Sequence, residues 1–176
     1  MEPRIETRSA QPYAAIASTT SMRDGGFGDV IDASLPAVLQ HLASIGVEPT
    51  GPPLVIYRVI DMAGDLEIEV GWPVASEIEP GDRVGTGTLA AGRYVVSTHV
   101  GSYDGLENAN AELQDWAEGQ GVEWAMHGDR WDARYESYLS DPQTEPDPSG
   151  WRTDILYRLA DPRVLEAYRL IQDIAR

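Results

Sequence analysis

The sequence predicts an α+β protein in which two β-α-β-β repeats pair their antiparallel sheets, leave a groove between them and carry an added C-terminal helix. Three observations predict it. Runs with strand-like alternation bracket a helix-period run twice, in the same order. Short signatures recur: Gly46-Val47-Glu48 after the first helix returns as Gly121-Val122-Glu123 after the second, and Glu69, three before Trp72, returns as Asp154, three before Tyr157. Finally, one helix on two or three strands buries too little apolar surface to stand alone, so the two units must pair.

In chain order, Arg4 to Arg8 and Tyr13 to Ser18 read as short strands separated by a Gln11-Pro12 break, and Met22 to Gly28 is a Gly-rich loop. Ile31, Leu35, Val38, Leu42 and Ile45 recur at helical spacing. Ser34 is placed to cap that helix just ahead of Pro36, which a first turn tolerates, and Gly46 stops it. Leu54 to Ile60 and Leu66 to Val74 are β-rich runs joined by the turn composition of residues 61–65. A connector through Glu79 to Asp82, with room for a short extra strand over Arg83 to Leu89, leads into the second repeat. There Arg93 to Val100 is a strand, and Asp104 to Gly119 a helix with Leu106, Ala109, Leu113 and Trp116 on its core face. Arg134 to Leu139 and Trp151 to Leu159 are strands around a Pro- and Asp-rich turn. The ligand-binding unit is thus expected over 4–159, as repeats of about 4–75 and 83–159. Helix 161–176 follows, with Asp161 as N-cap, Pro162 at its first position and Val164, Leu165, Tyr168, Ile171 and Ala175 on one stripe. That stripe needs a cover, and the short Leu159-Ala160 link favours packing back on the same chain.

Composition narrows the function classes. The chain has 176 residues, 42% hydrophobic and 24% charged, which suits a folded domain. Its net charge of −16 is shared evenly between residues 1–89 and 90–176. Such a surface repels phosphate backbones, so direct nucleic-acid binding is not expected and small cations are favoured partners. The absence of cysteine removes disulfides, Cys-based zinc sites and thiol nucleophiles. His41, His99 and His127 stand far apart in sequence, so no metal site and no cofactor is expected. With no long apolar run and a charged N-terminus, neither a membrane span nor a signal peptide is expected, and the chain reads as cytoplasmic. One Phe against five Trp and eight Tyr fits a pocket of polar-tipped aromatics, and it equally fits codon bias, since all 13 basic residues are Arg.

Thr98-His99-Val100-Gly101-Ser102-Tyr103-Asp104-Gly105-Leu106 running into Leu113 and Trp116, then Tyr138 to Pro142, then Trp151 to Ile155, resemble the GyrI-like small-molecule-binding family. Gly51 to Tyr57 and Glu67 to Val74 are similar to its first-half pattern, and the likeness spans about residues 4 to 159. The resemblance implies two β-α-β-β repeats around a ligand pocket. It also implies kinship with effector-binding domains of multidrug-sensing MerR-type and AraC-type transcription regulators, with free-standing gyrase inhibitors, and with hydrolases of cyclopropane-bearing alkylators. Two departures matter. Asp154 stands where the family's Thr-Glu-Ile motif has Glu, and the C-terminal helix is added. About 30 residues precede the first helix, too few for a DNA-binding helix-turn-helix within this sequence.

Six residues are candidates for ligand binding. Glu69 and Asp154 are the paired carboxylates of the repeats. Each faces either solvent or groove, and in the groove would pair with a ligand cation inside an aromatic wall. Tyr57, Tyr138, Trp72 and Trp151 supply flat amphipathic area suited to planar or polycyclic ligands, or else core packing. His99 fits the strand-to-helix turn as a hydrogen-bonded structural residue or as a base. No Ser-His-Asp arrangement or nucleotide-binding loop is present. The leading expectation is binding of a small aromatic or polycyclic molecule, cationic or neutral, in the inter-repeat groove as an effector or sequestered drug, with Glu69 and Asp154 as charge partners for a cation. The alternatives are a hydrolase in which Asp154 or Glu69 activates water, and an acidic protein that binds gyrase or another basic partner. Either a monomer or a homodimer fits.

Overall fold

A computed structural model describes residues 2–22, 25–61 and 64–174. Its elements are β1 (Arg4–Arg8), β2 (Gln11–Thr20), α1 (Gly26–Ser44), β3 (Leu54–Ile60), β4 (Leu66–Pro73), β5 (Gly85–Leu89), β6 (Gly92–Val100), α2 (Leu106–Gly119), β7 (Met126–His127), β8 (Arg130–Trp131), β9 (Arg134–Tyr138), β10 (Arg152–Arg158) and α3 (Pro162–Ile174). Arg23-Asp24 of the Gly-rich loop, Met62-Ala63 of the hairpin turn and Ala175 of the final stripe lie outside the described residues, as do the side chains of Val164 and Tyr168.

Eight strands form one antiparallel sheet in the order β1-β6-β10-β9-β3-β4-β2-β5. The order is symmetric about the β3–β9 seam. β2, β3 and β4 of the first repeat correspond to β6, β9 and β10 of the second, and each repeat lends one strand, β1 or β5, to the far edge of the other. The register makes this quantitative: Val55 pairs with Glu136 across the seam, Ile56 with Glu69, and Ser137 with Asp154. Glu69 and Asp154 therefore occupy equivalent positions, as the sequence signature predicts.

The connectors dictate the sheet's shape. β1 and β2 stand six places apart, roughly 29 Å in a flat sheet at about 4.8 Å per strand. Yet the three peptide units from Arg8 to Gln11 reach at most about 11 Å. The link from Leu89 to Gly92 imposes the same condition on β5 and β6, so the sheet curls and brings its two ends together. One buried cluster accordingly joins Tyr13 and Leu89 from one end to Tyr94 and Val96 from the other, with Leu54, Ile56, Tyr135 and Leu156 between them. This is the inner face. The outer face carries both helices: Val38 and Leu42 of α1 pack against Ile16 and Val74, and Leu106 and Leu113 of α2 against Val95, Ile155 and Tyr157.

The recurrent Gly-Val-Glu sequence has a defined job. Gly46 and Gly121 have φ of +72° and +64°, the left-handed region that favours glycine. Val47 and Val122 donate back to Leu42 and Ala117, while the glycines donate to Ala43 and Glu118. Both helices thus end in the same Schellman turn.

Two expectations are corrected and one element is new. The first helix begins at Gly26, so Ser34 lies buried in its interior rather than at its cap, and Pro36 sits mid-helix. An interior proline costs about 3 kcal/mol. Phe27, Val30 and Ile31 offset that by extending the apolar stripe onto Val55, Leu66 and Ile68. A second small ribbon, β7–β8, was not evident in the sequence. Of the stripe of α3, Leu165 is half-buried but Ile171 does not pack back on the chain and is 65% exposed, as are its neighbours Leu170 and Ile174 at 61% and 85%. The outer face beside β10 is already covered by α2, Trp124 and Trp131, and among the described side chains Arg169 of α3 meets Glu123 of the body at 3.5 Å. No described helix is long and apolar enough to cross a membrane.

Candidate functional site

Alternation along the strands decides what can meet on the outer face. In β4, Leu66, Ile68, Val70 and Trp72 share that face; in β9, Arg134, Glu136 and Tyr138 do. With α1 on one side and α2 on the other, the β3–β9 seam becomes the floor of a cleft of about 1520 Å³. Tyr57, Trp72, Arg134, Glu136 and Tyr138 reach it from the sheet, Phe27, Ile31 and Leu35 from α1, and Leu106, Asn110 and Gln114 from α2.

Glu136 is the centre of this arrangement. It is only 3% exposed. Its Oε2 accepts the Tyr57 hydroxyl at 3.0 Å and the Tyr138 hydroxyl at 2.7 Å, and its Oε1 accepts Asn110 Nδ2 at 2.8 Å. Burying a carboxylate is costly unless hydrogen bonds compensate, and three neutral donors do so here. Burial pushes the Tyr57 and Tyr138 phenols well above their ordinary values, and the neighbouring Glu136 charge pushes them further. Both therefore stay protonated donors.

Aromatic contacts hold the walls. Phe27 stacks on Tyr57 with centroids 6.1 Å apart and ring planes 18° from parallel. Tyr103 meets Tyr138 edge-on at 5.3 Å and rests on Trp151 at 4.7 Å. The Trp72 indole donates to the Leu35 carbonyl at 3.1 Å, tying α1 to the sheet. Asp32, Asp104, Glu107 and Asp141 also line the cleft, against a single arginine, Arg134, among its described residues. That acidic lining concentrates cations at the mouth.

The structure divides the six candidates. Tyr57, Trp72 and Tyr138 line the cleft. Trp151 stands behind Tyr103 and supports the wall. Glu69 and Asp154 do not reach the cleft, which corrects the expectation that they face the groove: both have inner-face parity, and the helices that form the cleft pack outside. Glu69 instead accepts Arg58 Nε at 2.6 Å and the Tyr13 hydroxyl at 3.0 Å, and Asp154 accepts Thr98 Oγ1 at 2.6 Å. Neither is placed to activate water on a molecule bound in the cleft. His99 lies against the Ser102 carbonyl at 2.9 Å and stabilises the turn into α2. Sequence reasoning missed Glu136, although a signal existed: it lies two residues before Tyr138 in a strand and so must share its face.

The model of the GyrI-like small molecule binding domain matches residues 1–160. The chain belongs to the GyrI-like family. Solved structures resembling this GyrI-like domain include the EcmrR C-terminal domain, with a TM-score of 0.76, 17% identity and coverage of 91% of this chain and 98% of that one. EcmrR in a DNA complex gives the same TM-score at 18% identity, and there the match takes in 91% of this chain but 57% of EcmrR's own length. SAV2435 bound to tetraphenylphosphonium follows at a TM-score of 0.59 and 11% identity, covering 91% of this chain and 94% of that one. Identities this low show a shared fold. No curated protein matches the GyrI-like chain in sequence.

Proposed function

We propose that this GyrI-like domain binds a planar or polycyclic aromatic cation in the cleft between α1 and α2, as an effector-sensing or drug-sequestering module, with Glu136 as the charge partner. The observation that carries this is a carboxylate buried at the base of an aromatic cleft whose direct hydrogen-bond donors are all neutral. Glu136 takes part in none of the ion pairs among the described residues. A bound cation would complete it in surroundings of low dielectric, and the faces of Phe27, Tyr57 and Trp72 add dispersion and cation–π attraction. The tetraphenylphosphonium held by SAV2435 is a ligand of this class on the same fold.

Titration of tryptophan fluorescence and calorimetry with tetraphenylphosphonium and ethidium test the proposal. Saturable binding is expected, weakened by roughly tenfold or more in Glu136→Gln, since truncating one partner of a buried charge pair costs about 2 kcal/mol or more. Absence of binding by both cations, or equal affinity in Glu136→Gln, would overturn it.

A further inference from the structure

Arg134 shares a face and a strand with Glu136, one pleat repeat away. Its guanidinium carbon lies 4.4 Å from the Tyr157 ring centroid, 4.9 Å from that of Trp131 and 5.9 Å from that of Tyr57. Aromatic faces hold this cation in place of a carboxylate: Arg134, too, takes part in none of the ion pairs among the described residues. Its Nε is buried without an acceptor. The nearby Tyr157 hydroxyl oxygen accepts from the guanidinium while its own proton goes to Asn110 Oδ1 at 2.6 Å, a neutral acceptor that leaves the charge without a carboxylate. Aromatic faces attract a guanidinium but cannot accept its in-plane N–H groups, so the charge is compensated only in part.

The cleft floor therefore presents two incompletely matched charges of opposite sign. Their backbone positions are two residues apart on one strand, about 7 Å at roughly 3.3 Å per residue, and the two charges attract each other without forming an ion pair. A ligand that is only a cation would satisfy Glu136 while bringing a like charge towards Arg134. A ligand with an anionic group beside its cationic centre would satisfy both, and a guanidinium is well suited to a carboxylate because its fork matches the two oxygens.

We propose that the ligand of this cleft is a zwitterionic aromatic, with a carboxylate or an equivalent anionic group next to its cation, and that Arg134 is the residue that selects it. The inference rests on the cation-binding reading above and goes further by naming the ligand class. It assigns Arg134 a discriminating role that a purely structural cation–π residue would not have.

Rhodamine B carries a carboxylate beside its delocalised cation, and its ethyl ester is the cation alone, so the pair isolates the anionic group on one chromophore. Dissociation constants of both dyes are measured by fluorescence anisotropy at neutral pH for the wild type, Arg134→Met and Arg134→Lys, with near-ultraviolet circular dichroism as the check on folding. The wild type is expected to prefer the free acid by roughly tenfold. Arg134→Met is expected to abolish that preference, with the ester gaining affinity as the acid loses it, and Arg134→Lys to keep its direction. A free-acid to ester ratio near one in the wild type, or an unchanged ratio in Arg134→Met, overturns the inference while leaving cation binding intact. If neither dye binds the wild type while tetraphenylphosphonium does, this inference fails alone; if tetraphenylphosphonium and ethidium also fail to bind, the cation-binding reading falls with it. Should Arg134→Met not fold, the wild-type ratio and the lysine variant decide the question.

Discussion

Val55 and Glu136 face each other across the β3–β9 seam and are each other's counterparts in the two repeats. The duplication has diverged at its centre. Where the first repeat buries a valine at 1% exposure, the second buries a carboxylate at 3%. The matched helix ends likewise place Leu35 of α1 and Asn110 of α2 at equivalent positions. Glu136 thus has an amide and two phenols around it, whereas Val55 has Leu66, Ile68 and Val70.

Val55→Glu should accordingly be poorly tolerated, since the first repeat offers no equivalent of Asn110. A loss of about 3 kcal/mol or more in chemical denaturation is expected, the scale of an uncompensated buried charge.

Tyr57→Phe and Tyr138→Phe each remove one donor from Glu136. Each should destabilise the protein by about 1–3 kcal/mol. A double-mutant cycle with Glu136→Gln should show coupling, because both phenols act through the same oxygen. Independent, additive losses would count against the network.

Alkaline pH should unfold the protein cooperatively. Unfolded tyrosines ionise near pH 10, whereas burial, reinforced by Glu69, raises Tyr13 to about 12, and burial raises Tyr135 to about 12. Tyr57, Tyr94, Tyr138 and Tyr157 are raised as well. Neutral phenol is the form the folded state favours. The resulting stability is present in full below pH 10 and is lost as pH rises through the folded values. The tyrosinate absorbance band should therefore appear together with the loss of near-ultraviolet dichroism above pH 10.

Glu69→Gln and Asp154→Asn should leave ligand affinity unchanged, because both residues lie on the inner face. Their stabilities should differ. Glu69→Gln weakens the compensation of the part-buried Arg58 and should cost about 1–3 kcal/mol, while Asp154→Asn alters one hydrogen bond to Thr98 and should cost about 1 kcal/mol or less. Thermal melts and dye titrations of the two variants check both statements.

Truncation after Arg169 should barely alter the melting temperature, since Leu170, Ile171 and Ile174 lie exposed. A large fall would mean that α3 is covered in solution.

Much of this molecule was legible in the order of its residues. Periodicity separated strands from helices, the two Gly-Val-Glu stops marked equivalent helix ends, and alternation put Tyr57, Trp72 and Tyr138 on faces able to line a groove. The correspondence of Glu69 and Asp154 was also correct. Their placement in the cleft was not, because a period of two reports which residues share a face but not which face receives the helices. That choice belongs to the curl of the sheet, which follows from where β1 and β5 pair. The cleft's centre depends on contacts of the same non-local kind: Tyr57 and Glu136 meet across 79 residues of sequence, and Asn110 joins them only once α2 docks on the second repeat. A charge at position 136 is an ordinary strand residue to local pattern and a buried anion to the folded chain. Only tertiary packing supplies the donors and removes the water that make the difference.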